Sequence, residues 1–470
     1  MLPNTVKEKI ISVVSPANYD DSKTGRLVYS YDATPNFQSM PDAVVSPRNK
    51  EEISQVVKIC NENKIPIVPR GSGTNLCAGT CPTEGGIVLL FKHMNKIIEI
   101  DEENLTATVQ PGVITLDLIN AVESKGLFFP PDPGSMKIST IGGNINENSG
   151  GLRGLKYGVT RDYVIGLEAV LANGDIIRTG GKLAKDVAGY DFTRLFVGSE
   201  GTIGIITEAI LKLIPIPETK QTMLALYQDL EAAAKSVSKI IASKIIPATL
   251  EFLDQPTLRV VEDFAKIGLP TDVKAVLLIE QDGPPEVVQR DMARIAEVCK
   301  EEKAVSVQVA QTDAEAEALR TARRSALSAL ARLKPTTILE DATVPRSEIA
   351  RMVNAINEIA LKYDLNICTF GHAGDGNLHP TCPTDSRNHD EMERVEKAFE
   401  EIFEKAIEFG GTITGEHGVG VMKAPYLELK LGKEGVAAMK AVKDALDPNN
   451  IMNPGKIFAK DSRKRVVVTR

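Results

Sequence analysis

The sequence has no tryptophan, only five histidines among 470 residues, and no surplus of positive charge. Its 63 acidic and 55 basic residues give a formal net charge of −8. Nucleic acids and anionic membrane surfaces attract basic faces, so this balance argues against a general role in binding either. No segment approaches eighteen uninterrupted apolar residues, and the first sixteen residues lack the apolar run of a signal peptide. We therefore expect a cytoplasmic protein without a transmembrane segment, and peripheral association with a membrane partner stays open.

The cysteines are few, and none forms a C-x-x-C pair. They are Cys60, Cys77, Cys81, Cys299, Cys368 and Cys382. This spacing argues against an iron–sulfur cluster or an all-cysteine zinc site. A weak redox pair of Cys77 and Cys81 is one interpretation, and buried thiols are the favoured one. Electrons that leave the protein would then need a cofactor that cysteine clusters do not hold.

Three of the five histidines fall in two short segments, residues 371–379 and 415–418. In the first segment, Asp375-Gly376 predicts the turn of a β-hairpin, because this pair supports the positive φ angles of tight turns. A turn centred there places His372 directly opposite His379, with their Cβ atoms about 5 Å apart. Two imidazoles held in this way can share a metal ion at roughly 2.1 Å each. The simpler alternative is a polar loop with no ligand.

A glycine-rich loop, residues 70–75, follows a predicted strand at residues 65–69. It does not match the dinucleotide-binding fingerprint, because Leu76 replaces the third glycine and the next element is a strand at residues 87–91. Two glycines still allow close approach of the backbone to a phosphate, and successive N–H groups form an anion-binding nest. On its own this signal is weak, because exposed Gly-Ser-Gly turns are common.

Residues 130–158 are rich in glycine, asparagine, serine and proline, and the sequence predicts loops throughout this region, including residues 140–144. A loop that surrounds a large planar ligand fits this composition better than a mobile surface loop.

Asn173-Gly174 predicts a hairpin between residues 164 and 179. A second glycine-rich loop, residues 198–204, enters a strand, and a first domain ends near Glu218. After Met223, strand–helix–strand units predict an antiparallel sheet with helices on one face.

Together, these loops and Asn453-Pro454-Gly455 resemble the flavin-binding domain of the vanillyl-alcohol-oxidase superfamily. Within it, the chain resembles the FAD-linked oxidases, which include glycolate oxidase catalytic subunits, D-lactate dehydrogenases and D-2-hydroxyglutarate dehydrogenases. The resemblance extends from about Pro41 to Phe458 and is strongest at residues 198–204, 371–379 and 415–418. It implies an α+β fold with a PCMH-type FAD-binding domain at residues 1–217 and a substrate or cap domain at residues 218–410. Residues 411–470 would complete the active site and return to the FAD domain.

The resemblance also implies the residues that hold FAD. Those around the pyrophosphate would be Arg70, Gly71, Ser72, Gly73, Thr74 and Asn75. Those along the isoalloxazine and ribityl chain would be Pro131, Asp132, Gly134, Ser135, Gly142, Gly143, Asn144, Ser149, Gly150 and Gly151. Those of the second loop and the C-terminal segment would be Glu200, Gly201, Ile203, Gly204, Ile205 and Asn453. Relatives with covalent FAD often carry a histidine on the first loop, where this chain has Asn75 and Leu76, so we expect noncovalent FAD.

The resemblance further implies that His372, His379 and Glu416 bind a divalent metal and that His417 is the general base. Zinc, iron(II) and manganese all accept two imidazoles and a carboxylate. A substrate carboxylate requires an arginine, and among Arg320, Arg323 and Arg324 on one predicted helix we choose Arg320. Relatives that act on dicarboxylates add a lysine near Leu339, which is absent here. This favours a small monocarboxylic substrate.

The resulting hypothesis is an FAD- and metal-dependent D-2-hydroxy-acid dehydrogenase that oxidises D-lactate or glycolate. It would pass electrons to an electron-transferring flavoprotein or an iron–sulfur subunit. One alternative is a metal-dependent hydrolase with a His-His-Glu zinc site, which would need none of the glycine-rich loops. A second alternative is a flavin-binding subunit without a catalytic role.

Overall fold

The computed structural model describes residues 1–458, and the last part of the predicted C-terminal segment, residues 459–470, lies outside the described residues. Its α-helices are α1 Asn4–Val14, α2 Lys23–Val28, α3 Lys50–Glu62, α4 Thr115–Glu123, α5 Ile141–Glu147, α6 Gly154–Tyr157, α7 Phe192–Phe196, α8 Leu230–Ala242, α9 Gln255–Ala265, α10 Pro285–Glu301, α11 Asp313–Arg324, α12 Ala326–Leu330, α13 Ile349–Lys362, α14 His389–Glu408 and α15 Leu427–Leu446. The last helix is interrupted at Gly432. Within residues 1–458, no helix combines the length and the apolar character needed to cross a membrane.

The strands are β1 Tyr19–Asp20, β2 Ala43–Val45, β3 Ile67–Arg70, β4 Ile87–Leu90, β5 Ile97–Asp101, β6 Thr106–Val109, β7 Leu127–Phe128, β8 Val164–Val170, β9 Ile176–Gly180, β10 Ile205–Lys212, β11 Ile214–Pro215, β12 Thr219–Tyr227, β13 Thr249–Asp254, β14 Ala275–Gly283, β15 Ser306–Val309, β16 Thr336–Leu339, β17 Ala342–Thr343, β18 Cys368–His372 and β19 Asn377–Thr384. The chain divides into two compact units. Unit 1 contains residues 1–149, 159–216 and 416–458, and unit 2 contains residues 150–158 and 217–415.

Unit 1 contains two larger sheets and a two-stranded sheet of β7 and β11. The first has the order β1-β2-β4-β3, with parallel pairing among β2, β4 and β3, and the second has the antiparallel order β5-β6-β10-β8-β9. Helix α3 covers the first sheet because Ile53, Val56, Val57 and Cys60 recur at helical spacing and are fully buried. The side chain of Asn49 starts this helix by accepting the N–H of Glu52 at 2.9 Å. The predicted hairpin around Asn173-Gly174 is confirmed, since Val170 pairs with Ile176.

Residues 141–147 form helix α5, so the prediction of a loop at residues 140–144 is wrong there. The side chain of Thr140 caps the helix by accepting the N–H of Gly143 at 3.2 Å. At the other end, Asn148 adopts the left-handed conformation with a φ of 53°. Two good caps and the burial of Ile141 and Ile145 outweigh the low helix propensity of the glycine pair.

The C-terminal part of unit 1 adds to its first sheet. Met452 forms a parallel bridge with Ile67, and the N–H of Asn453 donates to the carbonyl of Ile67 at 2.8 Å. Asp447 fixes this segment because its carboxylate accepts the N–H groups of Ile451 at 3.0 Å and Met452 at 2.7 Å. The segment is thereby part of the core of unit 1, which begins at Met1.

Unit 2 is built on one antiparallel sheet with the order β15-β12-β14-β13-β18-β19-β16, and β17 also pairs with β19. The α+β class and the antiparallel sheet are therefore confirmed. Helices lie against both faces of this sheet rather than one. Leu224 and Leu226 of β12 pack with Leu258 of α9, whereas the neighbouring Tyr227 donates from its hydroxyl to Ser236 of α8 at 2.8 Å. Adjacent strand residues point to opposite faces, so α8 and α9 contact different faces.

The histidine hairpin exists, but its predicted register is wrong. His372 pairs with Asn377 and His379 pairs with Phe370, because the connection is a four-residue loop, residues 373–376. The carbonyl of His372 accepts the N–H of Asp375 at 3.2 Å and of Gly376 at 3.1 Å, which closes this longer turn. The partner of each residue moves by two positions relative to the prediction. An even shift preserves the face, so both imidazoles still point to the same side of the sheet.

Candidate functional site

A cleft in unit 1 brings together several of the predicted FAD-binding residues. Arg70, Gly71, Gly142, Gly143 and Glu200 all line it. The other lining residues were not predicted from the sequence: Pro69, Gly79, Thr80, Phe91, Pro111, Thr140, Asn146, Glu147 and Ile206. The predicted residues that line the cleft come from three separate chain segments.

The first glycine-rich loop presents a run of backbone donors. Within residues 1–458, no protein atom accepts a hydrogen bond from the N–H groups of residues 71–75. Gly73 has a φ of 73°, and a Cβ there would overlap the guanidinium of Arg70. Successive N–H groups without protein acceptors form the kind of nest that binds phosphate. The loop therefore fits the pyrophosphate of FAD.

The side chain of Arg70 does not take part in this nest. Its guanidinium donates to the carbonyl of Tyr31 at 2.7 Å and lies 5.6 Å from the centroid of the Tyr29 ring. Burial lowers the pKa of Arg70, and the nearby carboxylate of Asp32 opposes that shift. The side chain of Arg70 thus stabilises the loop from the protein interior. Arg70 lines the cleft beside Gly71.

The start of helix α5 packs closely against Pro111. The N–H of Gly142 donates to the carbonyl of Pro111 at 2.8 Å, and a Cβ on Gly142 would lie 2.6 Å from the Cβ of Pro111. Asn144 donates from its side chain to Thr115 at 2.7 Å. Gly142 is therefore needed for close packing of the helix beside the cleft. Asn144 is buried behind it.

The second glycine-rich loop is fixed from two directions. The N–H of Gly201 donates to the side chain of Asn146 at 2.9 Å, and Gly201 has a φ of 69° against Pro69. The side-chain amide of Asn453 donates to the carbonyls of Gly79 at 2.9 Å and Glu200 at 2.6 Å. Asn453 therefore joins the second glycine-rich loop to Gly79, which follows the first glycine-rich loop in the chain.

The remaining predicted cofactor residues do not line this cleft. Ser72 donates from its hydroxyl to the carbonyl of Ile138, and Ser149 hydrogen-bonds to Thr160 at 3.2 Å. The others are buried Asn75, Pro131, Asp132, Ile203, Gly204 and Ile205, half-buried Thr74 and Ser135, and exposed Gly134. Gly150 and Gly151 belong to unit 2. Their predicted contacts with FAD stay predictions.

The carboxyl groups of Glu147 and Glu200 lie side by side at the cleft, and this pairing was not predicted from the sequence. A Cβ on Gly418 would overlap Oε2 of Glu147 and lie 3.2 Å from Oε1 of Glu200, so the two acids are close neighbours. Burial raises the pKa of both, and the charge of Glu200 raises the pKa of Glu147 further. Glu200 accepts two backbone N–H groups, which favour its ionised form. The pKa of Glu147 is therefore raised further above its ordinary value than that of Glu200.

In unit 2, His372 and His379 lie together in the interior. Their ring centroids are 5.1 Å apart at an interplanar angle of 89°, and each presents a ring nitrogen within 4.8 Å of the other. Nδ1 of His372 donates to Oε1 of Glu251 at 2.7 Å. Glu251 lies on β13, is fully buried, and was missed from the sequence because it is 121 residues away.

The predicted arginine helix, α11, places its members in different surroundings. Arg320 hydrogen-bonds to Glu280 and lies 2.8 Å from Glu317 in a second ion pair. Burial would lower the pKa of Arg320, but these two carboxylates raise it. Arg323 instead forms an ion pair with Glu251 at 2.5 Å. Arg323, not Arg320, is therefore the arginine next to the carboxylate that supports His372.

Unit 2 ends at Gly415, beside the strand that carries His379. The N–H of Gly415 donates to Asp341 at 2.5 Å, and a Cβ on Gly415 would lie 2.7 Å from the side-chain carbon of Asn377. Asn377 is two residues before His379 on β19. One peptide bond joins Gly415 to Glu416, so the Cα atom of Glu416 follows at about 3.8 Å.

From Glu416 onward the chain belongs to unit 1. The N–H groups of Val419 and Gly420 donate to the two carboxylate oxygens of Glu200, at 2.7 Å and 2.8 Å. The thiol of Cys77 donates to the carbonyl of Gly418 at 3.2 Å, and the N–H of Val421 donates to the carbonyl of Cys77 at 2.8 Å. The segment that carries His417 is therefore held by Glu200 of the second glycine-rich loop and by Cys77, which follows the first loop in the chain.

The six cysteines are all buried, and none forms a disulfide within the described part of the chain. This confirms the interpretation of these residues as buried thiols. Burial raises the pKa of Cys60 and Cys382 to about 12, so these thiols stay protonated at neutral pH.

The fold is that of the PCMH-type flavoproteins. The structure of p-cresol methylhydroxylase with substrate bound matches with a TM-score of 0.79 at 20% identity, over 97% of each chain. The structure of 4-ethylphenol oxidase from Gulosibacter chungangensis matches with a TM-score of 0.79 at 18% identity, also over 97% of each chain. At these identities the likeness concerns the fold alone.

The sequence comparisons define the family. Residues 41–180 match the FAD binding domain family, and residues 216–457 match the family "FAD linked oxidases, C-terminal domain". Glycolate oxidase subunit GlcD of Bacillus subtilis (strain 168) is 79% identical over the full length of both chains. D-lactate dehydrogenase of Anaerostipes hadrus is 39% identical over 90% of each chain. The chain belongs to the FAD-linked oxidase family, so it is an FAD-linked oxidoreductase.

Proposed function

We propose that the protein is an FAD- and divalent-metal-dependent D-2-hydroxy-acid dehydrogenase that oxidises D-lactate or glycolate to the 2-oxo acid. The names of the two relatives, glycolate oxidase subunit and D-lactate dehydrogenase, support these substrates. The observation that carries the metal-dependent part is the pair of buried imidazoles, His372 and His379, with Glu251 behind one of them. A carboxylate behind an imidazole is the usual outer support of a metal ligand.

The metal ligands would be His372, His379 and Glu416. The hydrogen bond from Nδ1 of His372 to Glu251 directs the lone pair to Nε2, the nitrogen on the opposite side of the ring. Two imidazoles and one carboxylate suit zinc, iron(II) or manganese and leave positions for substrate oxygens. A cation held by these ligands would favour loss of the substrate's hydroxyl proton.

His417 would act as the general base. Its imidazole would take the hydroxyl proton of the substrate, for which a histidine with a pKa near neutrality is suited. Bound FAD supplies the acceptor for the hydride that leaves the hydroxyl-bearing carbon. His417 follows the proposed ligand Glu416 directly, so one short segment would contribute both a ligand and the base.

An arginine would bind the substrate carboxylate through a bidentate fork. We retain Arg320 for this role, as the helix α11 residue chosen from the sequence. Its existing pairs with Glu280 and Glu317 compete with such a contact, and Arg323 beside Glu251 is the second candidate. Kinetics of Arg320→Lys and Arg323→Lys distinguish them, because substitution of the arginine that binds the substrate carboxylate should raise the KM for the hydroxy acid.

FAD would be bound noncovalently, since no histidine occurs in residues 70–76. The reduced cofactor then requires an external electron acceptor, because the cysteines form no cluster motif in the sequence. We propose an electron-transferring flavoprotein or an iron–sulfur subunit as this acceptor. Purification from the native source with identification of the co-eluting chains tests this part.

Anaerobic flavin bleaching tests the proposed reaction. The purified protein should be yellow, and addition of D-lactate or glycolate should bleach its flavin absorbance, whereas L-lactate, the matched enantiomer, should not. A colourless preparation that hydrolyses substrates would instead support a metal-dependent hydrolase. Substrate-driven bleaching that persists in His417→Ala would remove the proposed catalytic role of this histidine.

A further inference from the structure

The side chain of Glu200, a buried acid of unit 1, accepts hydrogen bonds from two backbone N–H groups. Its two carboxylate oxygens accept the N–H groups of Val419 and Gly420, and its own carbonyl accepts the amide of Asn453. Glu200 also adopts a φ of 53°, a conformation that side chains other than glycine rarely take. An energetically unfavourable backbone that persists in a tightly bonded setting is typical of a functional constraint.

The accepted N–H groups belong to the segment that carries His417. Val419 and Gly420 are two and three residues after the proposed base, His417. Gly418, which lies between His417 and Val419, has a φ of 82°. Gly420 has a φ of 52°, and a Cβ there would overlap the carbonyl of Cys77. The positive φ angles of Gly418 and Gly420 and the hydrogen bonds of the Val419 and Gly420 amides to Glu200 together leave this segment little conformational freedom.

Glu200 also lines the flavin cleft, within the second glycine-rich loop. The same side chain therefore belongs to the wall of the cofactor site and fixes the backbone next to the proposed base. We propose that Glu200 is a positioning residue that ties the segment of His417 to the FAD-binding loop. This inference rests on the proposed role of His417 as general base.

The physical reason is the sensitivity of proton transfer to distance. A misplacement of about 1 Å of a reacting group can reduce a rate by on the order of 10²-fold. A bidentate carboxylate acceptor fixes two consecutive peptide groups, and charge-assisted hydrogen bonds of this kind are stronger than neutral ones. Replacement by glutamine leaves one acceptor oxygen and sets an NH₂ group against the second N–H.

The test compares Glu200→Gln with Glu168→Gln in the FAD-loaded enzyme. Glu168 is the matched control because it is a buried glutamate of the same unit that pairs with Lys50 and Arg178 and does not line the cleft. Hydrogen exchange should become faster at Val419 or Gly420 in Glu200→Gln and stay unchanged in Glu168→Gln. Unchanged protection of both amides in Glu200→Gln would overturn the proposal.

Single-turnover flavin reduction supplies the second measurement. In Glu200→Gln saturated with FAD, the rate of flavin reduction should fall by on the order of 10²-fold, while D-lactate or glycolate binds with little change. Glu200→Asp keeps both acceptor oxygens on a shorter side chain and should recover part of the rate. If Glu200→Gln does not fold, Glu200→Asp replaces it in both measurements. A rate within threefold of the wild type in the folded variant would contradict positioning by Glu200.

His417→Asn, measured in parallel, separates this inference from the proposed function. If His417→Asn loses flavin reduction and Glu200→Gln does not, the proposed base stands and the positioning role is wrong. If His417→Asn reduces its flavin at the wild-type rate, the proposed base is wrong and the positioning role falls with it. Loss in both variants, with faster exchange in Glu200→Gln, supports both.

Discussion

Nδ1 of His372 donates a hydrogen bond to Oε1 of Glu251 at 2.7 Å, in the interior of unit 2. Burial would raise the pKa of Glu251, but the positive charges of Arg323 and His372 hold it below its ordinary value. The carboxylate is therefore ionised and fixes both the tautomer and the orientation of the imidazole. In the proposed metal site, this arrangement would leave Nε2 of His372 free to act as the ligand atom.

Glu251→Gln should weaken metal binding. The amide keeps the shape of the side chain but removes the negative charge that orients His372 and pairs with Arg323. Loss of such an outer carboxylate costs about 10- to 100-fold in metal affinity. Competition with a chelator, followed by metal analysis of the protein, measures this effect. Glu391→Gln, which removes a charge paired with Lys334 elsewhere in unit 2, should leave the affinity unchanged.

His379→Ala should abolish both metal content and turnover of D-lactate or glycolate, while FAD stays bound. The reason is that two of the three proposed ligands come from one hairpin, and one imidazole with one carboxylate holds a divalent ion poorly. His389→Ala is the matched control, because His389 is an exposed histidine at the start of α14. Wild-type metal content in His379→Ala would show that the hairpin is not a metal site.

Gly73→Ala should lower the affinity for FAD. Its φ of 73° disfavours any other residue, and the added Cβ would overlap the guanidinium of Arg70, so the nest of N–H groups must distort. Fluorescence titration of the flavin-free protein with FAD measures the dissociation constant. Gly181→Ala, where a Cβ meets no atom within 4 Å, should bind FAD as the wild type does. Equal affinities for the two variants would contradict a phosphate nest at residues 71–75.

Acid treatment should release FAD completely, because the proposed attachment is noncovalent. Precipitation of the protein should leave all of the yellow colour in the supernatant and none in the pellet. The expectation depends on the absence of histidine from residues 70–76. Flavin fluorescence that stays with the denatured chain on a gel would show a covalent bond.

The stability of unit 2 should decrease with rising pH because of Asp254. Burial raises the pKa of Asp254 from 3.8 to about 6, so the folded state holds a proton that the unfolded state has already lost. At 1.36 kcal/mol per pKa unit, this group destabilises the folded state by about 3 kcal/mol once the pH has risen from below 4 to above 6. Above that window its contribution is constant.

Comparison with Asp254→Asn isolates this effect. The stability of the wild type relative to the variant should fall by about 2 kcal/mol between pH 4.5 and pH 7.5, as measured by urea unfolding at the two pH values. Asp229→Asn, at the start of α8, controls for the loss of a helix-capping carboxylate. A pH-independent difference between the wild type and Asp254→Asn would mean that Asp254 does not carry the proton.

The histidine hairpin illustrates what the sequence could predict. Asp375-Gly376 indicated a turn, and the face shared by His372 and His379 followed from the alternation of strands. The length of the loop could not be read from the dipeptide, since the carbonyl of His372 closes the turn from outside it. The prediction of the shared face was still correct, because the error in register was two residues.

Helix α5 and Glu251 illustrate what the sequence could not predict. Gly142 and Gly143 indicate a loop by local propensity, but packing against Pro111 and the cap at Thr140 decide the conformation. A single glutamate within an apolar strand carries no spacing signal, and its partner His372 is 121 residues further along the chain. Both depend on tertiary contacts that no local pattern contains.

The order in which the segments of unit 1 occur along the chain has a consequence for biosynthesis. Its first sheet is completed by the bridge between Ile67 and Met452, whereas residues 217–415 of unit 2 form an uninterrupted stretch of chain. On the ribosome, that stretch emerges whole while the sheet of unit 1 still lacks its last contacts. We therefore expect unit 2 to fold during translation and FAD to be captured only after Met452 has left the ribosome.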